Sequence, residues 1–587
     1  MIDPRIQYYL WLGLKKYPIK HKSKKDPKIQ KKISIIAKLS DETNIKELKA
    51  EISKGNCSKS SLEKIFNPIG QTEDGHYIVT AIIPLDRAQA LRKLPYVKSL
   101  KASRTLKPFS NPVINEGLGN NFLPSSVQAQ SGRGVIIGII DTGCDFVHSN
   151  FRKEDGSTRI LALWNQRNGQ IYREADINRA LESNDQYKAL GYKPKEGSHG
   201  TPVMDIACGN GLGTKTRGIA PEASIIFVES SQSDIPRSGE AVIGDNNTGG
   251  SSFYGDSTNL LNAIEFIFKE AATIPCVVNI SLGSTGGPHD GSSLVEQGLD
   301  SFTQIPNRAV VVAAGNGYEN SKHASGFVPT GGYIDLIWKK SSSSEEEIEI
   351  WYSGKDEFKL EILDDRDNSY GDISLDTGPK SFSSQTIVAI HRKHDPNNFD
   401  NNINIYLRKT SLRNIKFRLH GIAITNGKFH AWIEENFSRS SSEFLNPDNN
   451  YTLSSIACSK KSIVVGAFDA KGSEQELLKY SSAGPTRDSR EKPEISAPGK
   501  ISAAESLSPP KPFERSGTSM ATAVVTGAIA LMLAEAKNIG KDLTIDQIRK
   551  ILTDTAHQPH SNNTGWDERY GMGKINIVDA IEAVRQL

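Results

Sequence analysis

The sequence contains few cysteines, and they are scattered along the chain. Five occur in 587 residues, and none of them forms a CxxC pair. Neither a disulfide framework nor a zinc site built from paired cysteines is therefore expected. Cys144, Cys208 and Cys276 lie in apolar stretches, where a free cysteine behaves as a small hydrophobic residue.

The net charge is also small, and long hydrophobic runs are lacking. A formal net charge of +3 is small for this length and gives no reason to expect nucleic acid or an anionic membrane as a partner. The apolar run from Tyr8 to Leu14 ends at Lys15, with no cleavage site of a secretion signal and no membrane-spanning length. We therefore expect a cytoplasmic protein, with secretion by another route as the open alternative.

The length predicts two to four domains. Changes in composition and periodicity suggest the following division: a basic N-terminal segment (1–32), an α+β domain (33–108), a linker (109–132), an α/β domain in two parts (133–326 and 444–587) and a β-rich insertion (327–443). In the α/β domain, buried strands alternate with helices, which predicts a parallel sheet with helices on both faces.

One serine lies where a polar loop enters an apolar helix. Ser519 follows Gly517-Thr518 and precedes a long run of small and apolar residues that begins at Met520. Free N–H groups at a helix N-terminus favour developing negative charge, so a hydroxyl here suits nucleophilic chemistry. A serine at such a junction is also a common helix N-cap, and Ser519 considered alone favours that role.

Two further junctions provide the partners of a nucleophilic serine. Asp141 ends the strand-like run Val135 to Ile140, at the carboxyl edge where open α/β sheets place their chemistry. His199 follows Gly197-Ser198 and opens a second helix. Each residue alone has an ordinary structural explanation, such as a turn or a solvated histidine. An acid, a base and an alcohol together predict acyl transfer.

These motifs, in this order, resemble those of the subtilisin-like serine proteases, the subtilase family. Five stretches carry the resemblance: Asp141-Thr142-Gly143, His199-Gly200-Thr201, Val278 to Gly283, Ala313-Ala314-Gly315-Asn316 and Gly517 to Ala521. It covers roughly residue 133 to the end, with one interruption.

The resemblance implies a serine endopeptidase that acts on protein or peptide substrates. Ser519 would be the nucleophile, His199 the general base and Asp141 the residue that orients the imidazole. Asn316 and the backbone N–H of Ser519 would hold the oxyanion. The substrate channel would be edged by two segments: Ser281, Leu282 and Gly283, and Ala313, Ala314 and Gly315.

The N-terminal α+β domain has a ferredoxin-like pattern of strands and helices. It precedes the protease as the propeptide of subtilases does, so the resemblance implies an intramolecular folding assistant and inhibitor, and a zymogen. Its tail, from Arg104 to Pro108, would lead toward the active site. A permanent accessory domain is the alternative.

The insertion between the oxyanion and nucleophile motifs has the period-two patterning of an antiparallel β-sandwich or jelly roll. It resembles the insertion of some bacterial subtilases, including the clostridial germination group. We favour a structural or gating rim over a sugar- or protein-binding module. His391, His394 and His430 form no ligand motif and are expected at the surface.

The sequence departs from the family pattern in several places. Pro202 replaces the usual second histidine, Met204-Asp205 replaces a small pair, and Thr522-Ala523-Val524 replaces Ser-Pro-His. None of these changes removes a catalytic group. The chemistry needs no cofactor. Family members often bind structural calcium, but no Asp-rich loop assigns a metal site here.

Two other functions are considered. A pseudoprotease, or a protein that binds a partner through its insertion, would not need the complete set of catalytic residues. An esterase would be expected to carry a Gly-x-Ser-x-Gly elbow, whereas Ser519 lies in Gly517-Thr518-Ser519-Met520-Ala521.

Overall fold

The computed structural model describes residues 2–14, 32–53, 66–109, 130–230, 256–340, 346–384, 386–408, 412–434, 442–471, 476–558 and 565–587. Most of the basic segment, most of the predicted linker and Cys57 lie outside these ranges.

The N-terminal domain is a four-stranded antiparallel sheet with helices on one side. Its strands are Lys32–Leu39, Phe66–Gln71, Tyr77–Pro84 and Val97–Ala102, and its described helices are Thr43–Ser53 and Ala88–Arg92. The first strand lies between the third and the fourth, and the second is at an edge, which is the ferredoxin-like order. The alternation of strand and helix read from the sequence predicted this architecture.

The catalytic body is built on an eight-stranded sheet. From one edge to the other, its strands are Ile495–Pro498, Ile463–Phe468, Arg308–Ala313, Cys276–Ile280, Ile136–Asp141, Ser224–Glu229, Ile160–Asn165 and Gln170–Arg173. All neighbours are parallel except the last pair. The residues of Ile136–Asp141 are all buried, as the continuous apolar run predicted.

Helices cover both faces of this sheet. They are Glu174–Leu181, Gln186–Leu190, Gly200–Cys208, Ser257–Ala271, Leu294–Phe302, Thr518–Asn538, Ile545–Asp554 and Ile577–Arg585, and a short hairpin pairs Lys500–Ala503 with Phe513–Ser516. Thr518–Asn538 is long and apolar enough to cross a membrane, but its apolar stretch is 100% buried in the protein. Length and composition alone are weak evidence for a membrane-spanning helix. The burial of this stretch identifies it as a core helix.

The insertion is a sandwich of two antiparallel sheets. One contains His323–Phe327, Lys428–Glu434, Glu346–Tyr352, Asn401–Leu407, Ile387–Arg392 and Thr377–Phe382. The other contains Ser369–Ile373, Glu357–Leu363, Asn414–Ala423, Tyr333–Lys339 and Glu443–Phe444. Alternate residues of Asn414–Ala423 are buried between the sheets, which is the period-two pattern that the sequence displays.

An N-terminal helix, Pro4–Leu14, connects the N-terminal domain with the sandwich. Ile6 packs in the core of the N-terminal domain. Tyr8 lies on the six-stranded sheet of the sandwich, where its ring stacks on Tyr406 with the centroids 3.9 Å apart. No role for this aromatic segment was predicted from the sequence.

The N-terminal domain also packs on the catalytic body. Ile36, Ile69 and Ile78 share a buried cluster with residues of the helices Ser257–Ala271 and Leu294–Phe302. Thr80 donates a hydrogen bond to the side chain of Asn262 at 2.7 Å. The domain is therefore held by an apolar face against the catalytic body and by a helix against the insertion.

Two of the histidines expected at the surface are buried, so that expectation was wrong. His391 and His430 are 0% and 3% exposed, whereas His394 is exposed. The Tyr352 hydroxyl is hydrogen-bonded to His391. Side-chain partners within the sandwich can satisfy a buried imidazole, and the sequence alone does not reveal them.

His430 belongs to a buried aromatic junction where the insertion meets the catalytic body. His323 bonds to His430 at 3.1 Å, and His289 of the catalytic body stacks on Trp432 of the insertion at 4.1 Å. Burial lowers the pKa of His289 to about 3 and the pKa of His323 to about 4. Burial also lowers the pKa of His430.

These depressed pKa values predict that acid weakens the junction. The unfolded chain binds protons at these histidines near pH 6.5, whereas the folded chain resists protonation down to about pH 4. Stability is therefore lost as the pH falls through this window, by up to about 1.4 kcal/mol per pH unit for each histidine. Thermal unfolding of His430→Gln from pH 7 to pH 4.5 should show a shallower decline than the wild type. An unchanged slope would contradict this account.

Candidate active site

Asp141 and His199 meet at the carboxyl edge of the large sheet. Asp141 is the last residue of its strand, and His199 is the N-cap of the helix Gly200–Cys208. The Nδ1 atom of His199 lies 2.7 Å from Oδ1 and 2.9 Å from Oδ2 of Asp141. Because a carboxylate accepts at Nδ1, that nitrogen carries the proton and Nε2 is left as an acceptor. His199 Nε2 is buried and has no hydrogen-bond partner.

Glu229 supports the loop that follows Asp141. It ends the neighbouring strand, and its carboxylate accepts hydrogen bonds from the Gly143 N–H at 2.6 Å and the Tyr192 hydroxyl at 2.7 Å. Burial raises the pKa of Glu229, while the nearby Arg167 acts in the opposite direction. The sequence analysis did not identify Glu229, although its position at the end of a buried strand was a signal.

Asp205 connects the histidine helix to the hairpin before the nucleophile. Its carboxylate accepts the Ala504 N–H at 2.7 Å and the side-chain amide of Asn150 at 2.6 Å. This replacement of a small residue therefore adds a buried link between Gly200–Cys208 and Lys500–Ala503. The departure from the family pattern has a structural reason that the sequence does not disclose.

Ser519 lies in the first turn of Thr518–Asn538 and does not cap it. The N-cap is Gly517, which has no side chain to bond, so the simple capping role considered for Ser519 does not apply. The Ser519 side chain is fully buried, and its Oγ donates to the carbonyl oxygen of Phe109 at 2.8 Å. The Ser519 backbone N–H points to the same oxygen at 3.4 Å.

Phe109 reaches this position because the tail of the N-terminal domain forms a strand in the cleft. Lys107–Pro108 pairs in antiparallel fashion with Leu282–Gly283, and the Phe109 N–H donates to the Ser281 carbonyl at 3.2 Å. An extended peptide added to an exposed strand is a recognised mode of peptide binding. The chain thus presents its own backbone to Ser519 as a substrate would be presented.

Asn316 is held beside Ser519 by the residue that begins the helix. Its Oδ1 accepts from the Thr518 hydroxyl at 2.9 Å and from the Thr518 N–H at 3.2 Å. With the carbonyl end of the amide engaged, Nδ2–H is the end that can donate to a substrate oxygen. This is the orientation that an oxyanion donor requires.

The six residues predicted to edge the substrate channel take three different positions. Ser281, Leu282 and Gly283 contact the docked tail. Gly315 lines the cavity beside Phe109. Ala313 and Ala314 are fully buried, and the Ala314 carbonyl accepts from the N–H of Ser454, so these two residues support the cleft from behind.

A metal site is not apparent at this edge of the sheet. Within the described ranges, no group of three or more His, Cys, Asp or Glu side chains is arranged to hold an ion. Asp141, His199 and Ser519 are the residue types that nucleophilic acyl transfer uses.

Comparison with known proteins identifies the family. The sequence model of the Subtilase family matches residues 132–335 and 368–573, which is more than half of the chain. Serine protease AprX of Bacillus subtilis is 31% identical over 157 residues, covering 23% of this chain and 33% of AprX. Bacillopeptidase F of the same organism is 33% identical over 156 residues, covering 25% of this chain and 10% of that protein. The match thus spans a third or less of these curated relatives.

A solved structure matches more of the chain. The CspB protease of Clostridium perfringens is 25% identical, covers 78% of this chain and 96% of its own, and superposes with a TM-score of 0.69. The family match spans both parts of the catalytic body on either side of the sandwich. With its strand order and its Asp–His pair at the sheet edge, the chain belongs to the subtilase family of serine proteases.

Proposed function

We propose that the chain is a serine endopeptidase whose first substrate is its own peptide bond between Phe109 and Ser110. The observation that carries this proposal is the Phe109 carbonyl oxygen, which lies 2.8 Å from Ser519 Oγ and 3.4 Å from Ser519 N. A backbone carbonyl held by an added strand, beside a buried serine with a histidine–aspartate pair at the same sheet edge, is the geometry of a peptidase with its substrate bound.

The proposed reaction passes through an acyl-enzyme. Ser519 Oγ attacks the Phe109 carbonyl carbon while His199 Nε2 accepts its proton. The Ser519 hydroxyl must turn from the Phe109 oxygen to this nitrogen for the reaction to begin. Asp141 stabilises the charged imidazole through its bond to Nδ1. The negative oxygen is held by the Ser519 N–H and by Asn316 Nδ2.

The tetrahedral intermediate collapses with loss of the amine. The bond between Phe109 and Ser110 breaks, and His199 returns the proton to the new amino group of Ser110. Water then hydrolyses the Phe109 ester, again with His199 as the base, and regenerates Ser519. No metal or cofactor takes part in these steps.

We further propose that the N-terminal domain stays bound after cleavage and acts as an inhibitor. A buried charge network supports this. Arg104, just before the docked tail, forms two hydrogen bonds with Glu349 of the sandwich, at 2.5 and 3.0 Å, and Arg5 pairs with Glu347 at 2.8 Å. Glu349 is 1% exposed. Burial opposes ionisation of Glu349, but Arg104 and Arg5 outweigh it and lower its pKa to about 2.

The same network reaches the substrate strand. Glu434 of the sandwich accepts the backbone N–H of Thr285 at 3.2 Å and that of Gly286 at 2.9 Å, just beyond Leu282–Gly283. The sandwich therefore holds the residue just before the docked tail and the residues just after the strand to which the tail is added. This supports a structural role for the insertion over a role as a separate binding module.

Self-cleavage is tested by N-terminal sequencing and intact mass. The wild type should divide into two fragments, the larger beginning at Ser110, whereas Ser519→Ala and His199→Ala should stay whole. Loss of the serine or the histidine lowers such rates by about 10⁶-fold. An intact wild type, or equal cleavage in Ser519→Ala, would exclude the proposal.

The oxyanion role is tested by Asn316→Ala. Self-cleavage should slow by about 10²–10³-fold because one donor to the developing charge is lost. The control is Asn168→Ala in an exposed turn, which should cleave at the wild-type rate. A change of less than a few-fold in Asn316→Ala would remove this residue from the mechanism.

Retention of the N-terminal domain is tested by Glu349→Gln. Loss of one partner of a buried ion pair costs about 3–5 kcal/mol. The cleaved fragment should remain with the wild-type body on size exclusion and separate from the Glu349→Gln body, whose hydrolysis of an added peptide should rise. Asp335→Asn removes an ion pair on the other sheet of the sandwich and should retain the fragment. Release in both variants, or in neither, would contradict the proposed role.

A further inference from the structure

The cavity next to Phe109 contains one hydroxyl for which the fold provides no partner. The cavity has a volume of about 220 Å³ and is lined by Phe109, Gly315, Asn316, Ser454, Tyr480 and Ser482, among others. Ser454 is 2% exposed, and its Oγ forms no hydrogen bond. A buried hydroxyl without a partner has lost its hydration and gained nothing in return, so such a group in a substrate pocket needs an explanation.

The other hydroxyl groups that form this wall of the cavity are already engaged. Ser482 Oγ accepts the Gly317 N–H at 2.8 Å, the Tyr480 hydroxyl bonds to Ser516 at 2.6 Å, and Thr452 Oγ1 accepts the Ala483 N–H at 2.9 Å. Their hydrogen bonds hold the wall in place. Ser454 is the hydroxyl of this wall that forms no hydrogen bond, while Asn316 Nδ2 serves the oxyanion in the proposed reaction.

The para end of the Phe109 ring lies close to Ser454. A Cβ on Gly283 would come within 2.5 Å of Phe109 Cζ and within 2.7 Å of Ser454 Oγ. Both distances start from one point, so the ring tip and the hydroxyl lie within about 5 Å of each other. The absence of a side chain at Gly283 is what admits the ring. A hydroxyl carried on Cζ would enter the cavity that contains Ser454.

The lining also shows which side chains the pocket disfavours. Among the described residues that line the cavity, Lys107 alone carries a charge. It belongs to the docked tail and not to the catalytic body. A charged side chain in the position of Phe109 would be desolvated there without an opposite charge from the protease. A planar apolar side chain fits the glycine wall, and a neutral polar tip would meet Ser454.

We propose that Ser454 is a specificity-determining residue, which makes the protease prefer tyrosine over phenylalanine on the amino side of the bond that it cleaves. The inference rests on the proposed function, since it assumes that Phe109 occupies the position of a substrate residue. The protein's own cleavage site, with Phe109, then lacks the hydroxyl that the pocket can bind. The phenylalanine makes the first cleavage slower than cleavage of a tyrosine substrate.

A double-mutant cycle tests the pairing. Self-cleavage is timed during cell-free synthesis of the full chain for the wild type, Phe109→Tyr, Ser454→Ala and the combination of both changes. Phe109→Tyr should cleave about 5-fold faster than the wild type, which corresponds to about 1 kcal/mol for one hydrogen bond. In the Ser454→Ala background, the self-cleavage rate with tyrosine at position 109 divided by the rate with phenylalanine should fall to about 1.

Ser482→Ala is the matched control. This serine lines the same cavity, but its hydroxyl holds the Gly317 N–H. Its loss should slow cleavage after both residues equally and leave the 5-fold ratio in place. The inference is overturned if tyrosine and phenylalanine at position 109 cleave at equal rates in the otherwise wild-type chain. It is also overturned if the faster cleavage with tyrosine persists in Ser454→Ala. In both cases self-cleavage itself still stands.

A second measurement does not depend on catalysis. In the inactive Ser519→Ala chain, Phe109→Tyr should raise the midpoint of thermal unfolding by about 1–2 °C, and Ser454→Ala should abolish the rise. If no chain self-cleaves, the proposed function fails and the thermal cycle alone decides whether the pocket pairs with tyrosine. No rise, or a rise that persists without Ser454, overturns the pairing.

Discussion

The candidate active site depends on a short antiparallel pairing between Lys107–Pro108 and Leu282–Gly283. This contact adds the tail of the N-terminal domain to the catalytic body as a strand and brings the Phe109 carbonyl to Ser519. Backbone hydrogen bonds place the tail almost independently of its sequence, whereas the glycine at 283 decides which side chain fits beside it. Whether the cleft is occupied or open therefore depends on where the N-terminal domain lies.

The other contacts of the N-terminal domain stabilise that pairing from a distance. Apolar packing on two helices of the body buries one face of the domain, and the ion pair between Arg104 and Glu349 ties the residue before the tail to the sandwich. Because this pair is buried, its desolvation offsets much of its attraction. The pair therefore contributes more to the placement of Arg104 than to the net stability of the fold. The sandwich contributes Glu349 and Glu434, so an insertion remote from the catalytic residues in sequence is part of the cleft's support.

Much of the fold could be read from the sequence because it rests on periodic patterns. The strand ending at Asp141 and the helix following Ser519 were marked by apolar runs with glycine boundaries, and alternation marked the sandwich. The approximate location of Asp141, His199 and Ser519 at one sheet edge followed from strand ends and family resemblance. These features are encoded locally, in residue types and their spacing.

Features encoded by contacts between distant segments were not readable. His430 appeared polar and exposed, yet it bonds to His323, which lies in another strand of the insertion more than a hundred residues earlier. The role of Tyr8 depends on Tyr406, nearly four hundred residues away in the chain. Glu229, Asp205 and Ser454 are likewise defined by what they touch. A single sequence contains no signal for such pairs beyond the burial expected of their neighbours.

The central claim is that Ser519 is a nucleophile made reactive by His199 and Asp141. A fluorophosphonate probe, followed by peptide mass spectrometry of the labelled chain, measures this reactivity directly. The account predicts an adduct on Ser519 that forms faster once the N-terminal domain has been released, and that is lost in His199→Ala. An adduct on another residue, or equal labelling of Ser519 without His199, would contradict it.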